Sequence, residues 1–351
     1  APPPAPSAEK NRSALQPELL QREDFTPELQ PKECPFPGIQ RASSALLYDA
    51  HYELVQQLGQ GSFGEVWSAK HHRTKAMFAL KKTTHTYRGK KDQADHLREI
   101  TCVAKLPPHP NIVRYYRAWQ DAGHFYVVME LCMGGTLLTL LEERHAAGKK
   151  LDNDLISKLG AGLLRGVVLI HAAKLLHLDL KPDNLFLTED HGRIKIGDFG
   201  LCIKATEWDE QEGDREYLAP EILNFEASSA ADIFSCGLIL YQMLSGITRL
   251  PGNGDEWHLL RSGRAPIPSE GGSVAIAELT KMMMEPEPSK RPSAAQLVEE
   301  PTFAGVPITP VTPCPHPAFS NMFSGSQKHL VLEKMPAAQP PAQWSNDMDM
   351  S

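Results

Sequence analysis

The stretch His177-Leu178-Asp179-Leu180-Lys181-Pro182-Asp183-Asn184 decides the fold of this chain, together with Asp198-Phe199-Gly200, which begins fourteen residues after the first stretch ends. The two segments bring carboxylates, an amide and a lysine into one loop system. Amide and carboxylate oxygens suit Mg²⁺, and a further carboxylate can accept a proton from an attacking hydroxyl. Both segments at this spacing predict a phosphoryl-transfer site.

Four side chains of these segments are candidates for the chemistry. Asp179 is placed to accept or orient the proton of the substrate hydroxyl, and Lys181 is placed to neutralise charge on the transferred group. Asn184 and Asp198 offer oxygen ligands to Mg²⁺. We therefore predict that Asp179 and Lys181 are catalytic and that Asn184 and Asp198 bind the metal.

A glycine-rich segment lies upstream, at Gly59-Gln60-Gly61-Ser62-Phe63-Gly64-Glu65-Val66. The missing side chains allow backbone N–H groups to approach the phosphates of ATP. A dinucleotide-binding fold would continue from such a segment into a helix, but the strand-like Glu65-Val66-Trp67 follows here, which disfavours that fold.

The predicted nucleotide site also needs a cation and a hinge. Lys81 ends a third strand and suits the α- and β-phosphates, while Glu99 on the next helix suits its ion-pair partner. Met129 ends a buried strand just before the hinge. The residues expected at the nucleotide are Gly59, Gln60, Gly61, Ser62, Phe63, Gly64, Val66, Ala79, Lys81, Glu99, Met129, Glu130 and Cys132.

The hydrophobic pattern divides the chain into two lobes. Strand-like runs precede the hinge and helical runs follow it, so we predict an α+β, bilobal fold over residues 46–300, with a small antiparallel β-sheet lobe (46–130) and a larger, mainly helical lobe (131–300). Nine of the 29 prolines fall in residues 1–50 and nine more in 301–351. We therefore expect Pro-rich, disordered ends at 1–45 and 301–351.

Composition limits the partners and the compartment. A net charge of −7 and short basic runs disfavour nucleic acid. The six cysteines show no CxxC spacing, which predicts reduced thiols. We see no apolar run of the ~20 residues that a bilayer helix needs, and no initiator Met, so we expect a soluble piece of a longer protein, monomeric and without a membrane segment in the sequence given.

Two departures from the usual motifs bear on regulation and specificity. Leu178 replaces the arginine that normally binds a phosphorylated activation loop, and an aliphatic side chain cannot make that bond. Loop phosphorylation is therefore not the expected on-switch. Asp179-x-Lys181 is typical of serine/threonine specificity, but Gly213-Asp214 puts a carboxylate where such enzymes place a threonine. We expect Asp214 to pair with Lys181 and to reshape the acceptor pocket.

Further segments carry a family resemblance over roughly residues 46–300. Glu212-Gly213-Asp214-Arg215-Glu216-Tyr217-Leu218-Ala219-Pro220-Glu221, Gly252-Asn253-Gly254-Asp255-Glu256-Trp257-His258 and Arg261-Ser262-Gly263-Arg264 resemble the Wee/Myt family of mitosis-inhibitory protein kinases. His177-Leu178-Asp179 and Arg114-Tyr115-Tyr116-Arg117-Ala118-Trp119 fit the same pattern. Independently of this resemblance, the general motif pattern predicts that Glu221 pairs with Arg291 and that Asp232 anchors the catalytic loop.

The resemblance implies ATP and Mg²⁺ as cofactors and a cyclin-dependent kinase–cyclin complex as substrate. The target would be the inhibitory tyrosine of that kinase's glycine loop, and its phosphorylation would delay mitotic entry. The Myt branch also modifies the adjacent threonine and is membrane-tethered. Because we see no tether, we favour the soluble Wee branch and a location in the nucleus, with the cytoplasm as the alternative.

Two other hypotheses stay open at this point. A serine/threonine kinase acting on a translation initiation factor would carry Gly-Thr instead of Gly213-Asp214 and a long insert in the small lobe. A pseudokinase scaffold would lack residues needed for transfer, whereas this chain retains Lys81, Asp179, Asn184 and Asp198.

Overall fold

The computed structural model describes residues 51–61, 64–83, 98–121, 124–206, 213–224, 226–269, 274–308 and 310. The predicted disordered segment 1–45, most of the predicted tail 301–351, and the nucleotide-site residues Ser62 and Phe63 lie outside them.

The first lobe is an antiparallel sheet of five described strands in the order β1-β2-β3-β5-β4. Aromatic side chains fill its own small core: Tyr52 stacks on Trp119, and Trp119 stacks on Tyr126 with ring centroids 5.3 Å apart. The strands are β1 (Tyr52–Gly61), β2 (Gly64–His71), β3 (Met77–Lys82), β4 (Tyr115–Asp121) and β5 (His124–Met129).

The second lobe is mainly helical, as the sequence pattern predicts. Helices α3 and α4 form its centre, and each buries most of one face against the other or against neighbouring helices. The described helices are α1 (98–103), α2 (Leu137–Ala146), α3 (Asn153–Ala172), α4 (Ser229–Ser245), α5 (Gly254–Arg261), α6 (Val274–Met283), α7 (Ala294–Val298) and α8 (Pro301–Ala304). Helix α1 belongs to the first lobe.

Helix α3 is, within the part of the chain that the structure describes, the one helix long and apolar enough to cross a membrane by length and composition. More than half of its apolar window is buried inside the lobe. The expectation that no segment reaches this length is therefore wrong, although α3 packs here as a core helix.

Four short strands hold the functional loops on the second lobe. Strand β6 (Leu175–Leu176) pairs with β9 (Ile203–Lys204), and β7 (Leu185–Leu187) pairs with β8 (Ile194–Ile196). The catalytic loop runs between β6 and β7, and Asp198 follows β8. The two small sheets thus fix both ends of each predicted chemical segment.

The packed structure continues past residue 300, the predicted end of the domain. Phe303 on α8 is completely buried. The Arg165 guanidinium, from α3, donates to the carbonyls of Phe303 and Val306 at 3.4 and 2.5 Å. Residues 301–306 are therefore tied to the second lobe.

Candidate active site

The phosphate-binding end of the site is built on one buried lysine. Lys81 Nζ lies 2.9 Å from Glu99 Oε2 and 3.3 Å from Asp198 Oδ1. Burial alone would lower the pKa of Lys81, but the two carboxylates outweigh that effect and raise it. The predicted Lys81–Glu99 pair is therefore formed, and the Lys81 ammonium also contacts Asp198, a predicted metal ligand.

Local structure explains why Lys81 and Glu99 meet. Lys81 pairs with Val66 on one side and Val127 on the other, so it sits in the middle of the sheet. On helix α1, Ile100 is buried next to Glu99, which fixes the helix against the lobe. The hydroxyl of Tyr115, on β4, donates to Glu99 Oε1 at 2.8 Å and so orients the carboxylate.

The described glycines of the glycine-rich segment lie on paired strands: Gly59 and Gly61 end β1, and Gly64 begins β2. Gly61 pairs with Gly64 across the turn. A Cβ on Gly64 would lie 2.2 Å from the carbonyl oxygen of Lys82, so only glycine allows this close approach. A Cβ on Gly59 or Gly61 would meet nothing within 4 Å, so both glycines lie beside open space.

The hinge residues take different roles. Ala79, buried on β3, pairs with Met129 on β5. The carboxylate of Glu130 instead turns to the buried Lys195, with Oε2 and Nζ 3.1 Å apart. Because the Glu130 N–H donates to the Arg114 carbonyl at 2.8 Å, the Glu130 carbonyl is the backbone group left for a nucleotide. Burial, helped by the Glu130 carboxylate, raises the pKa of the Cys132 thiol to about 12.

Asp232 anchors the catalytic loop from below. Its carboxylate accepts backbone N–H bonds from His177 and Leu178, each at 2.9 Å, and a bond from His171 Nε2 at 2.8 Å. Burial would raise the pKa of Asp232, but these partners lower it overall. The His177 ring donates to the Gly197 carbonyl at 3.1 Å.

Two non-glycine residues of the site have left-handed backbone: Leu178 with φ 62° and Asp198 with φ 52°. Such a conformation costs roughly 1–2 kcal/mol for a residue with a Cβ. For Leu178 the bond from its N–H to Asp232 holds the strained conformation in place. Strain of this kind collects at functional loops.

Both oxygens of the Asp179 carboxylate have partners. Oδ2 accepts from Asn184 Nδ2 at 2.8 Å, while Oδ1 lies 3.3 Å from Lys181 Nζ and accepts from the Asp214 N–H at 3.2 Å. Burial raises the pKa of Asp179, and the Lys181 ammonium opposes the rise. An oriented carboxylate with a raised pKa suits proton acceptance from a hydroxyl.

The predicted metal ligands fit Mg²⁺. The Asn184 amide nitrogen is used on Asp179, which leaves its amide oxygen for a cation, and the Gly197 N–H binds the Asn184 carbonyl at 3.0 Å, which ties Asp198 to the same loop. In the described residues no group of three His, Cys, Asp or Glu side chains could hold a metal. The chain would therefore supply two ligands, with phosphate oxygens and water completing the set.

The activation segment reaches the catalytic loop through Gly213 and Asp214. Lys181 Nζ lies 3.3 Å from Asp214 Oδ2, which confirms the predicted pair. A Cβ on Gly213 would lie 2.1 Å from the Leu178 carbonyl oxygen. The glycine thus allows the Asp214 N–H to reach Asp179. The backbone of Asp214 therefore binds Asp179, and its side chain binds Lys181.

The predicted Glu221–Arg291 pair is also formed. Arg291 binds both carboxylate oxygens of Glu221, at 2.5 and 2.8 Å, and its guanidinium lies 4.8 Å from the centre of the Phe234 ring. Both residues are buried. This bidentate pair fastens the end of the activation segment to the second lobe.

Sequence reasoning missed four contributors. Tyr115 orients Glu99, Lys195 binds Glu130, His171 supports Asp232, and Arg261 binds the activation segment. Tyr115 and Arg261 lie in segments that carry the family resemblance, and that resemblance is the sequence feature that could have indicated a functional role for them. Lys195 follows a buried Ile194 in a strand pattern, and nothing in its neighbourhood indicates a partner in the hinge.

Comparisons with known proteins agree with this geometry. The protein kinase domain family model matches residues 52–303. A Dictyostelium discoideum protein kinase is 35% identical over 255 residues, which cover 71% of this chain and 72% of that protein.

Two further relatives carry more specific names. The Drosophila melanogaster membrane-associated tyrosine- and threonine-specific cdc2-inhibitory kinase is 35% identical over 72% of this chain. The Xenopus laevis Wee1-like protein kinase 1-B is 30% identical, also over 72% of this chain. The matches span 47% and 46% of those two proteins, less than half of their length.

Proposed function

Because this chain belongs to the protein kinase family and is similar to its Wee/Myt members, we propose that it phosphorylates the inhibitory glycine-loop tyrosine of a cyclin-dependent kinase bound to cyclin. Bound Mg²⁺ would neutralise charge on the ATP phosphates, held by Asn184 and Asp198. Lys81 would hold the α- and β-phosphates, and Asp179 would accept the proton of the acceptor hydroxyl. Phosphorylation of that tyrosine would delay mitotic entry.

The observation that carries this proposal is the place of Asp214. In a serine/threonine kinase a threonine hydroxyl would occupy this position, whereas here a carboxylate binds Lys181 at 3.3 Å. The Asp214 N–H supplies a donor to Asp179 at 3.2 Å. A negative charge and a longer side chain at this point change the space beside Asp179, which favours an acceptor other than a short serine side chain.

A threonine next to that tyrosine is a second acceptor. Relatives named as tyrosine- and threonine-specific are 33–35% identical to this chain, slightly above the Wee1-like relatives at 30%. We therefore expect phosphotyrosine with phosphothreonine as a lesser product. The nuclear location that the sequence favours stays a prediction.

Phosphoamino-acid analysis tests this function. The protein is incubated with Mg²⁺, ATP labelled on its γ-phosphate and a cyclin-dependent kinase–cyclin complex, and the labelled complex is hydrolysed. We expect phosphotyrosine, which disappears when the glycine-loop tyrosine of the substrate is changed to phenylalanine. Phosphoserine alone, or no label, would reject the proposal.

Two variants control this experiment. Asp179→Asn keeps the shape of the side chain and removes the proton acceptor, so it should leave no label above background. Asp214→Thr restores the residue typical of serine/threonine kinases and should raise phosphothreonine relative to phosphotyrosine. An unchanged ratio in Asp214→Thr would remove Asp214 as the basis of acceptor choice.

A further inference from the structure

The activation segment just after Asp214 has three consecutive carbonyls that accept hydrogen bonds from helix side chains. The carbonyl of residue 215 accepts from Trp257 Nε1 at 3.2 Å and from Arg261 Nη2 at 2.8 Å. The carbonyl of residue 216 accepts from the same Arg261 nitrogen at 3.1 Å. The carbonyl of residue 217 accepts from Ser235 Oγ at 2.9 Å. Helices α4 and α5 thus fix the backbone of this short segment.

Arg261 is an unusual residue for this structural task. It is only 5% exposed, and within the described residues no carboxylate forms an ion pair with it. Its guanidinium lies 3.9 Å from the centre of the Trp257 ring. Burial, helped by the nearby Arg215, lowers the pKa of Arg261 to about 10, so the side chain stays charged at neutral pH. Arginine is almost never this buried without an anionic partner.

The segment that Arg261 holds leads directly to the catalytic pair. The N–H of residue 217 donates to the Asp214 carbonyl at 2.9 Å, and the N–H of residue 216 donates to Asp214 Oδ1 at 3.1 Å. Asp214 in turn binds Lys181 and Asp179. A shift of the carbonyls at 215 and 216 would therefore move Asp214. Among the described residues, the Lys81–Glu99 pair shares no hydrogen bond with this chain of contacts.

We propose that Arg261, together with Trp257, is a positioning residue for the protein acceptor. Its charge is directed at the carbonyls of residues 215 and 216, which fixes the wall of the site that the acceptor chain meets beside Asp179. This role rests on the proposed function only in requiring a protein acceptor. If Arg261 has this role, acceptor binding depends on Arg261 and ATP binding does not.

Conservative substitutions test this role with little risk to folding. Arg261→Lys keeps the charge but loses the planar guanidinium, whose Nη2 binds both carbonyls while the group lies against the Trp257 ring. Trp257→Phe keeps an aromatic ring but loses the indole donor. Arg264→Lys is the matched control, because Arg264 is exposed and, among the described residues, its side chain binds Ser262 Oγ, at 2.9 Å. Steady-state kinetics are measured with two acceptors, the cyclin-dependent kinase–cyclin complex and a random copolymer that contains tyrosine. ATP hydrolysis is also measured in the absence of an acceptor.

We expect Arg261→Lys to raise KM for the acceptor about tenfold, a size typical of losing charge-assisted hydrogen bonds. KM for ATP, hydrolysis without acceptor and the melting temperature should stay at wild-type values. Trp257→Phe should show a smaller change of the same kind, and Arg264→Lys none.

The outcomes separate this inference from the proposed function. An unchanged acceptor KM, or equal losses in acceptor labelling and ATP hydrolysis together with a lower melting temperature, would show a merely structural role and overturn the inference. A wild type that labels the copolymer but not the cyclin-dependent kinase would refute the proposed function alone. A wild type that labels neither acceptor would refute both.

Discussion

Two lysines of the site each bind two carboxylates, but they do so in different settings. At the nucleotide end, Lys81 binds Glu99 and Asp198. At the acceptor end, Lys181 lies 3.3 Å from both Asp179 and Asp214. Asp214 stands where serine/threonine kinases place a threonine, so the acceptor end departs from the common pattern and the nucleotide end does not.

This difference indicates which end sets specificity. Residues that bind ATP have the same task in every protein kinase, since the phosphates and the metal are the same. Residues beside Asp179 face the acceptor, which differs between kinases. Changes at the nucleotide end should therefore reduce every reaction alike, whereas changes at the acceptor end should reduce protein phosphorylation and spare ATP hydrolysis.

The largest effect is expected for Lys81→Met. The variant removes the cation that two carboxylates hold in the site, and losing one preorganised charged donor lowers kcat by about 100- to 1000-fold. ATP hydrolysis and acceptor labelling should fall together. Lys82→Met is the matched control, because Lys82 lies near the surface and, among the described residues, pairs with Glu65 at 3.4 Å. If labelling fell while hydrolysis persisted, the proposed division between the two ends would be wrong.

Gly213→Ala should separate the two ends. The new Cβ would lie 2.1 Å from the Leu178 carbonyl oxygen, so the segment must move away from Asp179. A displacement of about 1 Å can cost roughly 100-fold in rate, and we expect that loss in acceptor labelling, with nucleotide binding retained in a fluorescence titration.

Gly252→Ala is the control for this variant. Its Cβ would come no closer than 3.8 Å to the Glu216 side chain, so labelling should stay at the wild-type level. Equal behaviour of the two alanine variants would contradict the close contact of Gly213 with the catalytic loop.

The pH dependence of kcat/KM gives a finer test of the acceptor end. Asp179 accepts a proton only when ionised, so activity falls as pH falls through its pKa. Burial raises that pKa above the ordinary 3.8, which moves the acid limb to higher pH. Because Lys181 lowers the pKa of Asp179, Lys181→Met should move the limb higher still, while Lys82→Met should leave it in place. A limb that shifts downward in Lys181→Met would exclude Asp179 as its origin.

The smallest effect is expected for Thr206→Ala. Leu178 replaces the arginine that would bind a phosphate on the activation segment, so a phosphate on Thr206 lacks that partner. Activity should match the wild type before and after phosphatase treatment. A loss of activity in Thr206→Ala that phosphatase reproduces in the wild type would show that the segment is switched by phosphorylation after all.

The nucleotide end could be predicted closely from the sequence. Motif spacing indicated the Lys81–Glu99 pair, which the structure forms. The same kind of short pattern indicated Asn184 and Asp198 as metal ligands, and that role stays a prediction. Hydrophobic periodicity predicted the strand that carries Lys81 and the helices after the hinge. Helix α4, however, begins at Ser229, four residues before Ile233, where its apolar pattern starts. The pairing of Asp214 with Lys181 was predicted correctly, because Asp214 replaces a threonine whose task in serine/threonine kinases is known.

The contacts that escaped prediction join residues far apart in the chain. Arg261 binds the carbonyl of residue 215 across 46 positions, and Lys195 binds Glu130 across 65. Backbone carbonyls exist at every residue, so no residue type signals that a particular one is bound. The burial of Arg261 depends on the packing of α5, which periodicity alone does not give.

The thiol of Cys132 in the hinge has a consequence for chemical probes. With a pKa of about 12, only about one thiol in 10⁵ is ionised at pH 7. Electrophilic inhibitors react with the thiolate form, so an acrylamide placed at this cysteine would bond slowly. Ligands for this hinge would gain more from reversible contacts than from covalent capture.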